Sequence, residues 1–465
     1  MLQIGGQKVP TKVLLLLASD ALLIVLGLLI AVSLRFQSTP AILGHLQRPE
    51  TLPRFIVVVL VCGMALYLSD LYDFRVVERR SEIFVRLLQA LGLACFALAI
   101  VYYLAPDLSL GRGIAAIAAP LILGLTLGWR VAVEEAGWML GGNERVLIVG
   151  TGATGIALAR EMVQRPELNL KVVGFLDERG ENIGKSLVNP CIIGAAGDVE
   201  NIVAQQKINR VVLSLAERRG RTPVRQLLHL KFAGVGVEDA HTFYERLTGR
   251  ILLEHLSPSW LILSDGFRKS RLLVLTKRAL DIAASLLVLL FTWPILLLTA
   301  LAIRLEDGAP VFYNQERTGM GGRPFEIMKF RSMRHDSEGS VPKWTADGDS
   351  RITRVGHIIR KYRIDELPQV LNVLRGEMSF VGPRPERPYF CRLLEEKIPF
   401  YALRHSVRPG ITGWAQIKYQ YGASIEEAKT KLEYDLFYIK HLSVFLDFAI
   451  LFETAKVILL RRGAK

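Results

Sequence analysis

Apolar residues in this chain of 465 are gathered into runs, and those runs constrain its folding more than any other feature. Residues 13–34, 55–71, 83–104 and 114–127 are almost free of charge, and a longer run covers 279–303. Crossing ~30 Å of hydrocarbon takes about 20 helical residues. The first and third runs suffice, the second is near the lower limit, and the fourth needs flanking residues or tilt. Lipid offers the backbone no hydrogen-bond partners, so such runs are expected to be helices. The hydrophobic share of 51% agrees with a membrane protein of two or three domains. The net charge of +14 is read as cytoplasmic loop charge, affinity for anionic lipid headgroups and a phosphorylated substrate. No nucleic-acid-binding signature accompanies it.

Basic residues orient the first four spans. Lys8 and Lys12 precede the first, Arg75, Arg79 and Arg80 fill the second loop, and Arg130 follows the fourth. The third loop carries only Arg112, whereas Arg35, Arg48 and Arg54 in the first loop weaken the pattern. On balance both ends of this bundle are expected on the cytoplasmic side. Asp20 lies within the first span, and a packing or hydrogen-bonding role is expected for it. Cys62, Cys95, Cys191 and Cys391 are widely spaced, which suits free thiols and neither a disulfide framework nor a zinc site. The N-terminal run has no small-residue cleavage site and reads as a retained anchor.

A soluble α/β segment follows. The strand 145–149 leads into Gly150-Thr151-Gly152-Ala153-Thr154-Gly155, then a helix to about Val163, then a strand 171–176 ending at Asp177. This strand–glycine loop–helix order, with an acid some 20 residues on, is the dinucleotide fingerprint of a Rossmann-like parallel sheet. Gly150, Gly152, Gly155 and Asp177 are therefore candidate nucleotide-binding residues. No hydride-transfer constellation lies nearby, so a structural or regulatory use is expected. Further strands are read at 211–215 and 235–238, and the domain at 141–265.

The last segment carries the chemistry. Arg360, Lys361 and Arg363 crowd Asp365 and Glu366, and cations this close should keep both acids ionised. Such carboxylates suit attack on phosphorus or holding a metal. Around them lie Phe325-Glu326-Ile327-Met328-Lys329-Phe330-Arg331-Ser332-Met333, then Phe380-Val381-Gly382-Pro383-Arg384-Pro385-Glu386, then Val407-Arg408-Pro409-Gly410-Ile411-Thr412-Gly413-Trp414-Ala415-Gln416. With these four signatures in order, residues from about Lys277 onward resemble the bacterial polyprenyl-phosphate sugar-1-phosphate transferases, the monotopic phosphoglycosyl transferase family.

The resemblance implies transfer of sugar 1-phosphate from a UDP-sugar (a hexose, glucose or galactose) to undecaprenyl phosphate, with release of UMP. This would be the first membrane step of exopolysaccharide, capsule or O-antigen synthesis. It implies Asp365 as nucleophile, Glu366 beside it, and Mg²⁺ held at Asp365 and Glu366. Lys329, Arg331, Arg360, Arg384 and Arg408 are the candidate phosphate clamps, because guanidinium forks fit phosphate oxygens. Thr412, Trp414 and Gln416 are candidate linings of the nucleotide side. His335, His357, His405 and His441 show no metal spacing. The resemblance also implies that the run at about 279–304 re-enters one leaflet instead of crossing. Pro294 and basic residues on both flanks agree with that, and Thr292 could offer its hydroxyl to the carbonyl that Pro294 frees. Helix 443–460 is expected either on the membrane surface or in the core. The expected fold is thus a membrane protein, α plus α/β: four transmembrane helices over 1–140, the Rossmann-like domain over 141–265, and an α-rich catalytic domain with a re-entrant helix over 266–465. It is expected in the bacterial inner membrane, with the catalytic domain on the cytoplasmic face and membrane lipid around it. The added domains invite homodimerisation. The alternative function is a membrane-anchored nucleotide sensor or assembly scaffold run by the Rossmann-like domain.

Overall fold

The computed structural model describes residues 2–4, 7–9, 11–69, 71–72, 80–140, 144–165, 168, 170–214, 223–254, 261, 264–308, 310–334, 351–419 and 424–459. Two compact units divide the chain, residues 8–240 and 241–465.

In the first unit the four early runs are helices, Thr11–Phe36, Thr51–Leu68, Arg80–Leu104 and Arg112–Leu140. Each is long and apolar enough to cross a membrane. The fourth reaches that length by extending past the apolar run at both ends. A short helix, Thr39–Leu46, in the first loop was not legible from hydropathy. Ile24, Leu28 and Ala31 on the first helix are buried, as are Ile114, Ala118 and Ile122 on the fourth. Their spacing of three or four residues lays one apolar stripe along each helix. Gly27 lets the two approach closely, since a Cβ there would lie 2.8 Å from Ile122 Cγ1. Asp20 has the expected hydrogen-bonding role. Its carboxylate accepts from Tyr72 Oη at 2.8 Å and Arg130 Nη2 at 2.7 Å, a buried pair that neutralises an acid inside the bundle. Arg75 and Arg79 lie outside the described residues.

The α/β segment is a five-stranded parallel sheet in the order Ile192–Ala195, Leu170–Asp177, Glu144–Val149, Arg210–Leu213, Gly236–Asp239. Growth outward in both directions from the first strand is the doubly wound pattern. Ile192–Ala195 had no recognised signal in the sequence, and position 215 lies outside the described residues.

The second unit starts earlier than the boundary expected near 265. Ile251 and Leu253 pack in its core with Trp414, Phe437 and Ile450, and Trp414 Nε1 donates to the Gly249 carbonyl at 2.8 Å. Its other elements are the hairpin Phe312–Thr318 with Pro324–Phe330, the helices Arg354–Lys361, Gln369–Arg375, Pro388–Lys397, Ile425–His441 and Val444–Leu459, and a parallel strand pair, Ser379–Val381 with Gly410–Thr412. The last helix is a core helix on one side, with Leu446 and Ile450 buried, while Phe445 and Phe448 are exposed.

The long apolar run is one helix, Arg271–Asp307, of 37 residues, unbroken through Pro294. Thr292 Oγ1 donates to the Val288 carbonyl at 2.6 Å, so its hydroxyl does not serve the Leu290 carbonyl that Pro294 deprives of a donor. Near the start, Arg278 donates to the Val373 and Leu374 carbonyls, and Asp281 accepts from Ser379 Oγ and Phe380 N–H, both at 3.0 Å. Near the end, Ile303 packs on Phe330 and Ile359, and Glu306 accepts from the N–H groups of Arg354 and Val355. Between these anchorages Leu287, Leu290, Phe291, Trp293, Leu297 and Leu298 are exposed.

Candidate active site

The helix Arg354–Lys361 is held by its N-terminus. Thr353 Oγ1 accepts from Gly356 N–H at 2.9 Å, and the Glu306 carboxylate takes the two N–H groups before it. Only glycine fits at 356, because a Cβ would lie 2.1 Å from the Ser332 carbonyl oxygen. After the helix, Arg363 takes a left-handed conformation (φ 58°) and the chain turns into a single 3₁₀ turn, Ile364–Glu366. That turn presents the two acids.

Glu366 Oε1 accepts from Lys329 Nζ at 3.0 Å and from Arg384 Nη2 at 2.9 Å, and Arg363 Nη1 is 3.9 Å from Oε2. Lys329 comes from the hairpin and Arg384 from the loop after Ser379–Val381, so Glu366 ties three separate segments together. Asp365 makes no side-chain hydrogen bond or ion pair among the described residues.

The electrostatics separate the pair. Burial alone would raise Glu366, but Arg384, Lys329 and Arg363 outweigh it and hold its proton affinity well below the ordinary range. Asp365 goes the other way, pushed up to about 6, first by burial and then by the charge of Glu366, against the pull of Lys329, Arg360 and Arg363. The expectation that cations dominate both acids is therefore corrected for Asp365, where desolvation wins. Asp365 remains mostly ionised at neutral pH. Any rate that needs it ionised should be full above pH 7 and fall about tenfold per unit below pH 6, giving log kcat/KM a slope of one on the acid side. A flat profile down to pH 5 would contradict this.

The other sequence candidates are dispersed. Arg360 is near enough to lower Asp365's proton affinity and makes no side-chain hydrogen bond among the described residues. Arg331 is buried elsewhere, donating to the Asp307 and Gly308 carbonyls at 2.8 and 2.9 Å, where it caps the long helix. Arg408 Nε donates to the Gly376 carbonyl at 2.9 Å and fastens the end of Gln369–Arg375. Neither is placed against the acidic pair. Trp414 is buried, Thr412 Oγ1 meets Thr454 Oγ1, and Gln416 Nε2 donates to the Ile411 carbonyl. His335 lies outside the described residues.

Arg363, already read as crowding the acids, reaches Glu366 Oε2, and Arg317 is a further cation near Arg384 that the motifs did not single out. Arg317 Nη1 donates to the Pro385 carbonyl at 3.1 Å, and its charge is felt beside Arg384. The hairpin register pairs Tyr313 with Lys329 and Arg317 with Phe325, so Arg317 and Lys329 share one face. Strand alternation was the signal for it.

In the Rossmann-like sheet the glycine loop is closed on its own protein. Gly155 N–H donates to Ser214 Oγ at 2.8 Å and Gly152 N–H to the Ser214 carbonyl at 3.3 Å. A Cβ at Gly152 or Gly155 would lie 2.6 or 2.7 Å from Ser214 atoms, and Gly150 has φ 102°. The Asp177 carboxylate accepts from Glu181 N–H at 3.0 Å and closes the next turn. Each residue of the fingerprint thus has a task within the fold.

Among the described residues no group of three His, Cys, Asp or Glu is arranged to hold a metal. Two adjacent carboxylates, one without hydrogen bonds, still suit Mg²⁺, which takes one or two protein carboxylates and completes its shell with water and phosphate oxygens.

Comparisons with known proteins agree with this division. Residues 272–461 match the family model described as bacterial sugar transferase, and residues 67–231 match one described as CoA-binding domain. The UDP-N-acetylgalactosamine-undecaprenyl-phosphate N-acetylgalactosaminephosphotransferase of Aeromonas hydrophila is 43% identical over 241 residues, 52% of this chain and 56% of that protein. The undecaprenyl-phosphate glucose phosphotransferase of Komagataeibacter xylinus is 35% identical over 69% of this chain and 60% of its own length. In both, the match spans less than two thirds of the relative. The UDP-glucose:undecaprenyl-phosphate glucose-1-phosphate transferase of Escherichia coli K12 is 34% identical over 331 residues, 69% of each chain. With Lys329 and Arg384 of two signatures meeting Glu366 and this last match covering more than two thirds of the relative, the chain belongs to the bacterial sugar transferase family of polyprenyl-phosphate sugar phosphotransferases.

Proposed function

We propose that this protein transfers a hexose 1-phosphate from a UDP-sugar to undecaprenyl phosphate, releasing UMP, through a phosphosugar carried on Asp365. The observation that carries the proposal is the unequal pair: Glu366 is locked between Lys329 and Arg384, whereas Asp365 is ionised, adjacent and unbonded. An Asp365 carboxylate oxygen forms a bond to the sugar-bearing β-phosphorus, and the bond from that phosphorus to the bridging oxygen breaks, so that UMP leaves with the electron pair. A phosphate oxygen of undecaprenyl phosphate then bonds to the same phosphorus and the aspartyl oxygen departs, which restores Asp365 and yields the lipid diphosphosugar. Lys329, Arg384, Arg360 and Arg363 supply the positive field for the phosphate oxygens. Bound Mg²⁺, held by Asp365 and Glu366, would neutralise diphosphate charge. The sensor alternative has less support, because Ser214 already accepts the Gly152 and Gly155 N–H groups of the glycine loop.

The test is UMP release by purified protein with undecaprenyl phosphate, across UDP-glucose, UDP-galactose and UDP-N-acetylgalactosamine. Ping-pong kinetics and a sugar-phosphate adduct on Asp365 are expected. Sequential kinetics without an adduct would favour direct attack by the lipid phosphate.

The long helix is best read as dipping into the cytoplasmic leaflet of the inner membrane. Asp281 and Ile303 are ~33 Å apart along a straight helix, yet both fasten to one polar body. Asn372 links the two anchorages, accepting from Met328 N–H and donating to the Glu326 carbonyl. A crossing helix would put one anchorage on the far side, whereas a shallow one keeps both on the near side and its exposed apolar middle in lipid. Single cysteines at Arg268 and Arg304 should both react with an impermeant reagent from the cytoplasmic face alone. Labelling from opposite faces would refute the dip.

A further inference from the structure

Beneath the loop that carries Arg384 lies a buried ion pair that none of the site residues above includes. Arg404, in the 3₁₀ segment Tyr401–Ser406, and Asp435, in the helix Ile425–His441, are both buried, with Arg404 Nη2 2.8 Å from Asp435 Oδ2. The same Nη2 donates to the backbone carbonyl of Arg384 at 3.0 Å, and Nη1 donates to Tyr401 Oη at 2.6 Å. Desolvating two charges is costly, and a hydrophobic pair of similar volume would often pack as well. An ion pair that spends a guanidinium hydrogen bond on one carbonyl therefore fixes geometry more than it adds stability.

The carbonyl in question belongs to the residue whose guanidinium meets Glu366. Neighbouring carbonyls of the loop are fastened by other groups: Val381 by Tyr438 Oη and Lys277 Nζ, and Pro385 by Arg317. Arg384 itself has Arg404 as its backbone clamp. An arginine side chain has several rotatable bonds, so a shift of its backbone displaces the guanidinium from its phosphate position, and misplacement of about 1 Å can cost 10²-fold in rate.

We propose that Arg404 and Asp435 are positioning residues for the transfer, which set the backbone of Arg384 so that its guanidinium faces Glu366 and the phosphates of the donor. This rests on the proposed transferase reading. Asp435 acts through Arg404, and Arg404 through Arg384; neither touches the acidic pair.

The test uses the full chain in phospholipid nanodiscs. Asp435→Asn keeps the shape and removes the charge that orients Arg404. It is expected to lower kcat for UMP release about 30-fold while changing KM for the UDP-sugar less than threefold. Arg404→Lys, which retains the charge and one donor, should recover part of that loss. The discriminating measurement is a double-mutant cycle with Arg384→Ala. If the pair acts through Arg384, Asp435→Asn should cost less than threefold more in that background. An equal 30-fold loss in both backgrounds would show a general structural role and overturn the proposal, as would full activity of a folded Asp435→Asn protein. If Asp435→Asn unfolds, as read by its thermal midpoint, the same cycle is run with Arg404→Lys. Absence of UMP release by the wild-type protein would instead refute the transferase reading, and so the two failures are distinguishable.

Discussion

Asp365→Asn is expected to abolish UMP release, by about 10³-fold or more in kcat, which is at least ~4 kcal/mol of barrier. Asparagine preserves the size of a group that lies in a half-buried turn, and Asp365 holds no side-chain hydrogen bond among the described residues that the change would break. The fold should therefore survive, with an unchanged thermal midpoint. What disappears is the oxygen that bonds to phosphorus, so no sugar-phosphate adduct should be detected by mass spectrometry of the intact protein. A variant that kept a tenth of the activity would leave Asp365 no role beyond a metal ligand, and direct attack by the lipid phosphate would be the better mechanism.

Glu366→Gln should act differently although it changes the adjacent residue. Glutamine can still accept from Lys329 or Arg384, but the charge that fixes both cations is gone. A kcat loss of about 10²-fold is expected, the scale for removing one preorganised electrostatic element. The sign of the pH effect is distinctive. The Glu366 charge is the second cause of the upward shift of Asp365, after burial. Without it, the cations around Asp365 are less opposed, so its proton leaves more readily and the acid limb near pH 6 should move lower. A limb that stayed in place would show that the two acids are not coupled.

The membrane helices and four of the five Rossmann-like strands were legible because each rests on a local pattern, a charge-free run or a strand–glycine–helix order. The ends of such elements were less so. The fourth helix continues past its apolar residues to Leu140, since a helix that leaves lipid needs no further hydrophobicity. In the site, Asp365, Glu366, Lys329 and Arg384 could be named because their motifs resemble those of a family. Arg331 and Arg408 donate to backbone carbonyls, contacts that could not be read ahead because charge and motif say nothing of which carbonyl a guanidinium finds first. Residues 241–254 were given to the wrong side of the domain boundary for a related reason. Their partners, Glu433 and Trp414, are some 165 to 180 residues away, beyond any local pattern.

Pro294 has one more implication. Thr292 bonds to Val288 and proline donates nothing, so the oxygen of Leu290 loses its usual helical donor among exposed leucines. Oil cannot solvate such an atom, whereas water can. In the shallow placement proposed above, the middle of the apolar segment would favour a depth that water still reaches, and this would limit how far the helix sinks beneath the headgroups.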